Sequence, residues 1–294
     1  MLLLISCDMD FVKDIKVDLG SGPEELVLNA IIEPNKPFSV QLSLTQSVLN
    51  DKYPTFLNDA VMLLQSDGKT LDTLIQTFGK YTSDLFLEPY VSYTLKTTVP
   101  GFETAEVDIN FPEKTYISDV NSNKITIQEA DNYSYQALSI SFNLHDTPGN
   151  SYFVMMIRNK TYDQFEFWKS RDAVFVQSGS GEISGGNSVD EISVSDYIWF
   201  TDELFSNSQR AITIQIPLYS AEFQNFSAEY DLIVYSITEE YYDFLRRFAL
   251  QEQSRSNPFA EPVEVFGNVK NALGIVTGIQ SETYSIFYTN EVGQ

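Results

Sequence analysis

A single cysteine and a single histidine set narrow limits on the chemistry of this chain. The cysteine is Cys7 and the histidine is His145. A disulfide framework or a multi-thiolate metal site needs more than one cysteine, so the sequence excludes both. A Ser-His-Asp hydrolase would have to use His145, yet no Gly-x-Ser-x-Gly motif accompanies it and Asp146–Gly149 has the composition of a turn. We therefore predict no catalytic residue, no metal site and no cofactor.

The acidic residues are numerous but form no motif. There are 41 of them against 18 basic residues, which gives a formal net charge of -23. Such a surface repels phosphate backbones, so we exclude nucleic acid as a partner. The excess is typical of a solvated surface, and the sequence has no spaced Asp/Asn loop of the calcium-binding type to support cation binding. Paired carboxylates for glycoside hydrolysis stay open, because abundance alone singles out no pair.

Aromatic side chains are the better candidates for binding. Five of them, in two clusters, could stack on a sugar ring or a protein partner if exposed: Tyr162, Phe165, Trp168, Tyr197 and Trp199. The alternation in 165–168 also fits an ordinary half-buried strand, which is the interpretation we favour. The five residues remain our candidate contact residues.

The N-terminus resembles the end of a lipoprotein signal. An apolar run leads into Leu4, Ser6 and Cys7, which match a lipobox. We predict that Cys7 carries the lipid, that residues 1–7 are a signal remnant and that the polar residues 8–23 are an acidic tether. Only six residues precede Cys7, fewer than a secretory signal needs, so we expect the true start upstream. The alternative is an inert, buried thiol.

Hydrophobic patterning predicts an all-β protein with two units. Residues 24–112 contain six or seven short alternating runs, such as 38–45, with a turn signal every 8–15 residues, which is typical of an immunoglobulin-like β-sandwich. Phe111–Glu113 marks the expected boundary. Residues 113–294 have longer, more aromatic strands and are predicted to form a larger β-sandwich domain.

One helix is predicted at about 239–253. Thr238 can cap it, and acidic residues occupy its first turn. Tyr241, Phe244, Leu245 and Phe248 share one face at helical spacing, and we expect that face to pack on the core.

The C-terminal third carries a family resemblance. A helix is followed by Asn257-Pro258-Phe259-Ala260-Glu261-Pro262 and then by Gly267-Asn268-Val269-Lys270-Asn271-Ala272-Leu273-Gly274. This order resembles the C-terminal hallmark of the DUF4249 family, and the stretches 146–152 and 200–205 resemble two of its other elements. We predict structural roles for seven signature residues: Asn257, Pro258, Phe259, Glu261, Pro262, Asn268 and Gly274.

The resemblance implies an outer-membrane or cell-surface lipoprotein of Bacteroidetes, of a kind often encoded beside a TonB-dependent receptor. Our first hypothesis is thus a non-enzymatic, lipid-anchored interaction module, accessory to such an outer-membrane transporter. The alternative is a surface lipoprotein that binds a glycan or a peptide. A hydrolase that uses His145 is the second alternative.

Overall fold

The computed structural model describes residues 23–46, 54–128, 134–176, 182–183, 192–218, 227–255 and 263–289. The predicted lipid-attachment residue Cys7, residues 8–22 of the tether, and the signature residues Asn257, Pro258, Phe259, Glu261 and Pro262 lie outside these ranges. No helix in the described part of the chain is long and apolar enough to span a bilayer.

The protein is an all-β sandwich fold, as the alternating patterns predict. Its strands are β1 Leu26–Ile32, β2 Phe38–Leu44, β3 Val61–Ser66, β4 Lys69–Thr73, β5 Ile75–Thr77, β6 Lys80–Ser83, β7 Tyr93–Thr98, β8 Ala105–Ile109, β9 Tyr116–Gln128, β10 Ser134–His145, β11 Tyr152–Asn159, β12 Gln164–Phe165, β13 Trp168–Ser170, β14 Glu182–Ile183, β15 Ile192–Val194, β16 Tyr197–Thr201, β17 Gln209–Pro217, β18 Ser227–Ile237 and β19 Val276–Thr289. The helices are α1 Ala173–Val176 and α2 Glu239–Arg255. The short α1 was not predicted.

The first sandwich packs two sheets over one core. Strands β1, β2, β6 and β5 form one layer, and the sheet β4-β3-β7-β8 forms the other. In β1, Leu26, Leu28 and Ile32 point inward and are fully buried, while the residues between them are more exposed. This alternation follows from the two-residue repeat of a strand, which sends successive side chains to opposite faces.

The second sandwich is larger. One layer is the sheet β14-β15-β13-β17-β10-β9, and the other is made of β12, β11, β16, β18 and β19. Its core contains Phe153, Phe175 and Phe200, whose rings pack edge to face or tilted at centroid distances of 5.1–5.2 Å. Helix α2 lies on the opposite face of β11, β18 and β19, over a third, smaller core.

The last strand joins the two sandwiches. Residues Val276–Gly278 pair in parallel with β1, and Ile279–Thr289 pair with β18, so one nine-stranded sheet runs through both units. Val276 belongs to the first core, Ile279 to the core under α2, and Ile286 to the second core. We expected a boundary at residue 112 to separate two units along the chain. The C-terminal segment crosses this boundary, because it pairs with strands of both sandwiches.

The turn before β19 explains two signature residues. The Asn268 side chain donates to the Val276 carbonyl at 2.7 Å and accepts from the Val276 amide at 3.0 Å. Gly274 has a φ of 101°, and a Cβ there would overlap the carbonyl oxygen of Leu28 in β1. Both residues thus hold the C-terminal segment against β1.

Candidate binding groove

A groove of about 370 Å³ lies between helix α2 and the outer face of the nine-stranded sheet. Helix α2 covers only part of this face. Among its described side chains Leu245 alone is deeply buried, in a cluster with Val154, Ile237 and Ile279. The groove opens beside this contact. It is lined by Ile31, Glu33, Val154, Met156, Phe165, Tyr197, Tyr235, Ile237, Tyr241, Leu245 and Ile279.

Three tyrosines are brought together in the groove from three elements. Tyr197 comes from β16, Tyr235 from β18 and Tyr241 from the first turn of α2, which Thr238 caps by accepting from the Tyr241 amide at 3.3 Å. Burial raises the pKa of Tyr241, the neighbouring phenols of Tyr197 and Tyr235 contribute to the same shift, and together they bring it to about 12. Burial also raises the pKa of Tyr197 and of Tyr235. All three phenols stay neutral at physiological pH and can donate hydrogen bonds.

Glu33 is the one acidic side chain among the residues that line the groove, and no basic side chain lines it. Its carboxylate accepts from Lys36 and from the Ser281 hydroxyl, and its charge helps to raise the pKa of Tyr235. A general acid–base pair needs groups whose pKa values lie near the working pH. The lining residues supply apolar surface and hydrogen-bond donors, which suit binding.

Two of the five candidate contact residues line the groove. Phe165 is 51% exposed at the lip, and Tyr197 is half-buried in the wall. Trp199 packs behind Tyr197 with ring centroids 6.1 Å apart and is only 8% exposed. Tyr162 is exposed but does not line the groove.

Trp168 must be removed from the candidate contact residues. Its side chain is fully buried in the second core, where its ring meets Phe175 edge-on at 5.3 Å. Residues 165–168 do not form the single half-buried strand that we favoured from sequence: Phe165 ends β12 and Trp168 begins β13, and these two strands belong to different sheets. The ring is a core anchor and cannot reach a ligand in this conformation.

Sequence analysis missed Tyr235 and Tyr241 as groove residues. Tyr241 was assigned to the core-facing side of the helix, and Tyr235 was not singled out. The missing signal is the hydroxyl group of each tyrosine. A buried tyrosine usually places its hydroxyl toward a polar partner or toward solvent, and both residues line the groove.

His145 has a serine partner, but in the wrong arrangement for a nucleophile. Its Nε2 lies 2.8 Å from the Ser118 Oγ, and its ring stacks on Tyr116 at 3.9 Å. The Ser118 hydroxyl donates to the Asp119 carboxylate at 3.0 Å, so Nε2 must act as the donor to Ser118. A general base needs an unprotonated nitrogen facing the hydroxyl proton, and this hydrogen-bond network gives the reverse.

Comparison with known structures gives only distant likenesses. Three N-terminal domains of the bacteriophage RB49 highly immunogenic outer capsid protein are 11% identical, with 92% of this chain and 71% of that chain covered and a TM-score of 0.23. The Enterococcus faecalis MSCRAMM ACE, described as binding its ligands by a collagen hug, is 9% identical, with 90% and 94% covered and a TM-score of 0.24. TM-scores this low support no structural argument.

The family of the chain is clear from a different comparison. No curated protein matches this chain. The model of the family described as "Domain of unknown function (DUF4249)" matches residues 12–285, a span that includes both sandwiches, α2 and most of β19. The chain therefore belongs to the DUF4249 family.

Proposed function

We propose that this protein is a non-enzymatic, lipid-anchored binding module of the outer membrane. In this proposal Cys7 carries the lipid, and the groove beside α2 receives an apolar side chain from a TonB-dependent transporter. The lipobox-like sequence at Cys7 supports the anchor. The choice of a transporter as partner follows from what the family resemblance implies. The groove itself supports the mode of contact.

The composition of the groove carries the proposal. Its floor consists of Ile31, Val154, Met156, Ile237 and Ile279, which favour an aliphatic or aromatic side chain. An oligosaccharide fits less well, because sugar hydroxyls need many polar partners and the lining offers three phenols and one carboxylate that is already paired.

The acidic charge of the protein predicts which residues flank that side chain in the partner. Glu239, Glu240 and Asp243 are exposed on the first turns of α2, the helix that forms one wall of the groove, and the whole chain carries a net charge of -23. Opposite charges steer association and suppress wrong partners. We expect the transporter segment to present an apolar residue flanked by lysine or arginine.

Co-purification from envelope membranes tests the proposal. The full-length, acylated protein should retain a TonB-dependent transporter after mild detergent extraction. Phe165→Ser at the groove lip should reduce the recovered transporter by about tenfold, the loss of roughly 1.4 kcal/mol of binding energy. Phe78→Ser is the control, since Phe78 is fully exposed in the turn between β5 and β6 of the first sandwich.

Two results would contradict the proposal. One is an equal yield of transporter from both variants, which would place the contact elsewhere. The other is wild-type protein that co-purifies with no transporter but binds oligosaccharides, detected as quenching of Trp199 fluorescence. That result would favour the glycan-binding alternative.

A further inference from the structure

The strand register sets the spacing of two groove tyrosines on one face of the sheet. Tyr235 in β18 lies directly opposite Val154 of β11, and Tyr197 in β16 lies directly opposite Met156 of the same strand. Directly opposed residues share a face, and so do Val154 and Met156, which are two positions apart. Two strand spacings of about 4.8 Å and two residues of about 3.4 Å place the Cα atoms of Tyr197 and Tyr235 roughly 12 Å apart.

The third tyrosine comes from the helix side of the groove. Tyr241 packs on the cluster that contains Val154, beside Tyr197 and Tyr235, and lines the same groove. The phenols of Tyr197 and Tyr235 both contribute to its raised pKa, so both lie within electrostatic reach of its hydroxyl group. The groove thus brings together phenols from three elements above an apolar floor.

The hydroxyl groups of the three tyrosines are available as donors. Among the described residues none of these hydroxyls has a hydrogen-bond partner, and none of their oxygen atoms is closed off from solvent. The carboxylate of Glu33 already accepts from Lys36 and from the Ser281 hydroxyl. The groove therefore offers three unused donors, while its strongest acceptor is already paired.

The floor of the groove supplies no backbone acceptor, because β11 and β18 pair with neighbouring strands on both sides. A ligand that fits must therefore bring acceptors and few donors. An ordinary extended peptide brings one amide N–H per residue, and a buried N–H without an acceptor is costly. Proline has no N–H, keeps its carbonyl oxygen and presents an apolar ring to the floor.

Proline-rich segments also match the spacing of the tyrosines. They favour the polyproline II helix, which has no internal hydrogen bonds and rises about 3.1 Å per residue, so about four residues span the distance between Tyr197 and Tyr235. Aromatic-lined grooves are a recurring way to bind such segments. We infer that the groove binds a proline-rich segment whose carbonyl oxygens accept hydrogen bonds from the three phenols. This inference rests on the proposed function and gives the chemistry of the partner segment.

Titration calorimetry of the full-length protein with two synthetic peptides tests the inference. One peptide is Lys-Pro-Leu-Pro-Pro-Leu-Pro-Lys with blocked termini, and in the other alanine replaces every proline. The proline peptide should bind at a single site. The alanine peptide should bind at least about tenfold more weakly, because its amide groups stay unpaired and its chain must be ordered on binding.

Removal of single hydroxyl groups tests the donors. Tyr197→Phe, Tyr235→Phe and Tyr241→Phe keep the rings, and each should weaken binding of the proline peptide about two- to tenfold, the net contribution of one hydrogen bond. Tyr162→Phe is the matched control, since Tyr162 is exposed but does not line the groove. This variant should bind the proline peptide as the wild-type protein does.

Equal binding of the two peptides, or binding of neither, would overturn the inference. Unchanged binding by all three phenylalanine variants of the groove would overturn it as well, because the phenols would then donate nothing to the ligand. If these failures occur while the transporter still co-purifies and is lost with Phe165→Ser, the proposed function stands and only the ligand class is wrong. Binding of the proline peptide without recovery of a transporter would keep the ligand class and refute the proposed partner.

Discussion

At the scale of single residues, Gly274 shows why a signature glycine is structural. A Cβ at this position would meet the Leu28 carbonyl of β1, and the φ of 101° is itself unfavourable for other residues. Gly274→Ala should therefore lower the free energy of unfolding by more than about 4 kcal/mol or prevent folding.

Gly68→Ala separates the two causes. Gly68 also has a positive φ, of 72°, but a Cβ there would have no atom within 4 Å. This variant should lower the free energy of unfolding by only about 1–2 kcal/mol, the cost of placing a residue with a Cβ at a positive φ. Equal losses in urea denaturation of the two variants would show that the close approach to β1 contributes nothing.

The raised pKa of Tyr241 predicts a specific dependence on pH. Its pKa is about 12 in the folded protein, above the ordinary 10.0, so the unfolded chain loses this proton first as the pH rises. The stabilisation is complete below pH 10 and is lost between pH 10 and 12, at up to about 1 kcal/mol per pH unit. Tyr241→Phe should reduce the slope by this amount, while Tyr197 and Tyr235, whose pKa values are also raised, keep part of it, and the stability at pH 7 should be nearly unchanged. A slope that is identical in both proteins would contradict the assignment.

Residue types alone gave part of the site. The aromatic clusters included Phe165 and Tyr197, which line the groove. They also included Trp168, since a sequence does not reveal which face of a strand meets the core when neighbouring residues are aromatic on both faces. The groove needed Tyr235 and Tyr241 from elements that pair only in the folded chain.

At the scale of elements, α2 was predicted at 239–253 and is observed at Glu239–Arg255. The cap at Thr238 and the acidic first turn make this helix readable from sequence. The predicted orientation of the helix is right only in part. Leu245 and Tyr241 face the sheet as expected, but Phe248 is 44% exposed and its ring stacks on that of Phe244 at 6.1 Å. The buried face is rotated toward Tyr242 and Ala249, which helical periodicity does not decide.

Two leucines of α2 test this orientation. Leu245→Ala should lower the free energy of unfolding by about 2–4 kcal/mol, because Leu245 is 7% exposed and its loss leaves a cavity over the sheet. Leu250→Ala, at a position 46% exposed on the same helix, should change it by less than about 0.5 kcal/mol. Similar values in chemical denaturation would mean that the helix does not pack on this face.

At the scale of the whole molecule, β19 couples the two sandwiches. It contributes a buried side chain to each of the three cores and pairs with strands near both ends of the chain. We therefore expect one cooperative thermal transition, and Val276→Ala should lower the temperature of the whole transition. Two separate calorimetric peaks, with only one moved by Val276→Ala, would show that the sandwiches unfold independently.

This coupling could not be predicted from sequence. The all-β class and most strand positions follow from local alternation, which the chain displays plainly in 26–45. The parallel pairing of Ala30 with Val276 joins residues 246 positions apart, and nothing local in either segment specifies it. The two-unit division by sequence therefore assigned the last strand to the second unit alone.

The claim that the groove receives a transporter segment is tested most directly by site-specific photo-crosslinking in native cells. A photoreactive phenylalanine analogue would replace Phe165 at the groove lip or, as control, the fully exposed Phe78. We predict one crosslinked product from position 165, identified by mass spectrometry as a TonB-dependent transporter, and none from position 78. No transporter adduct from position 165, or equal adducts from both positions, would contradict the claim.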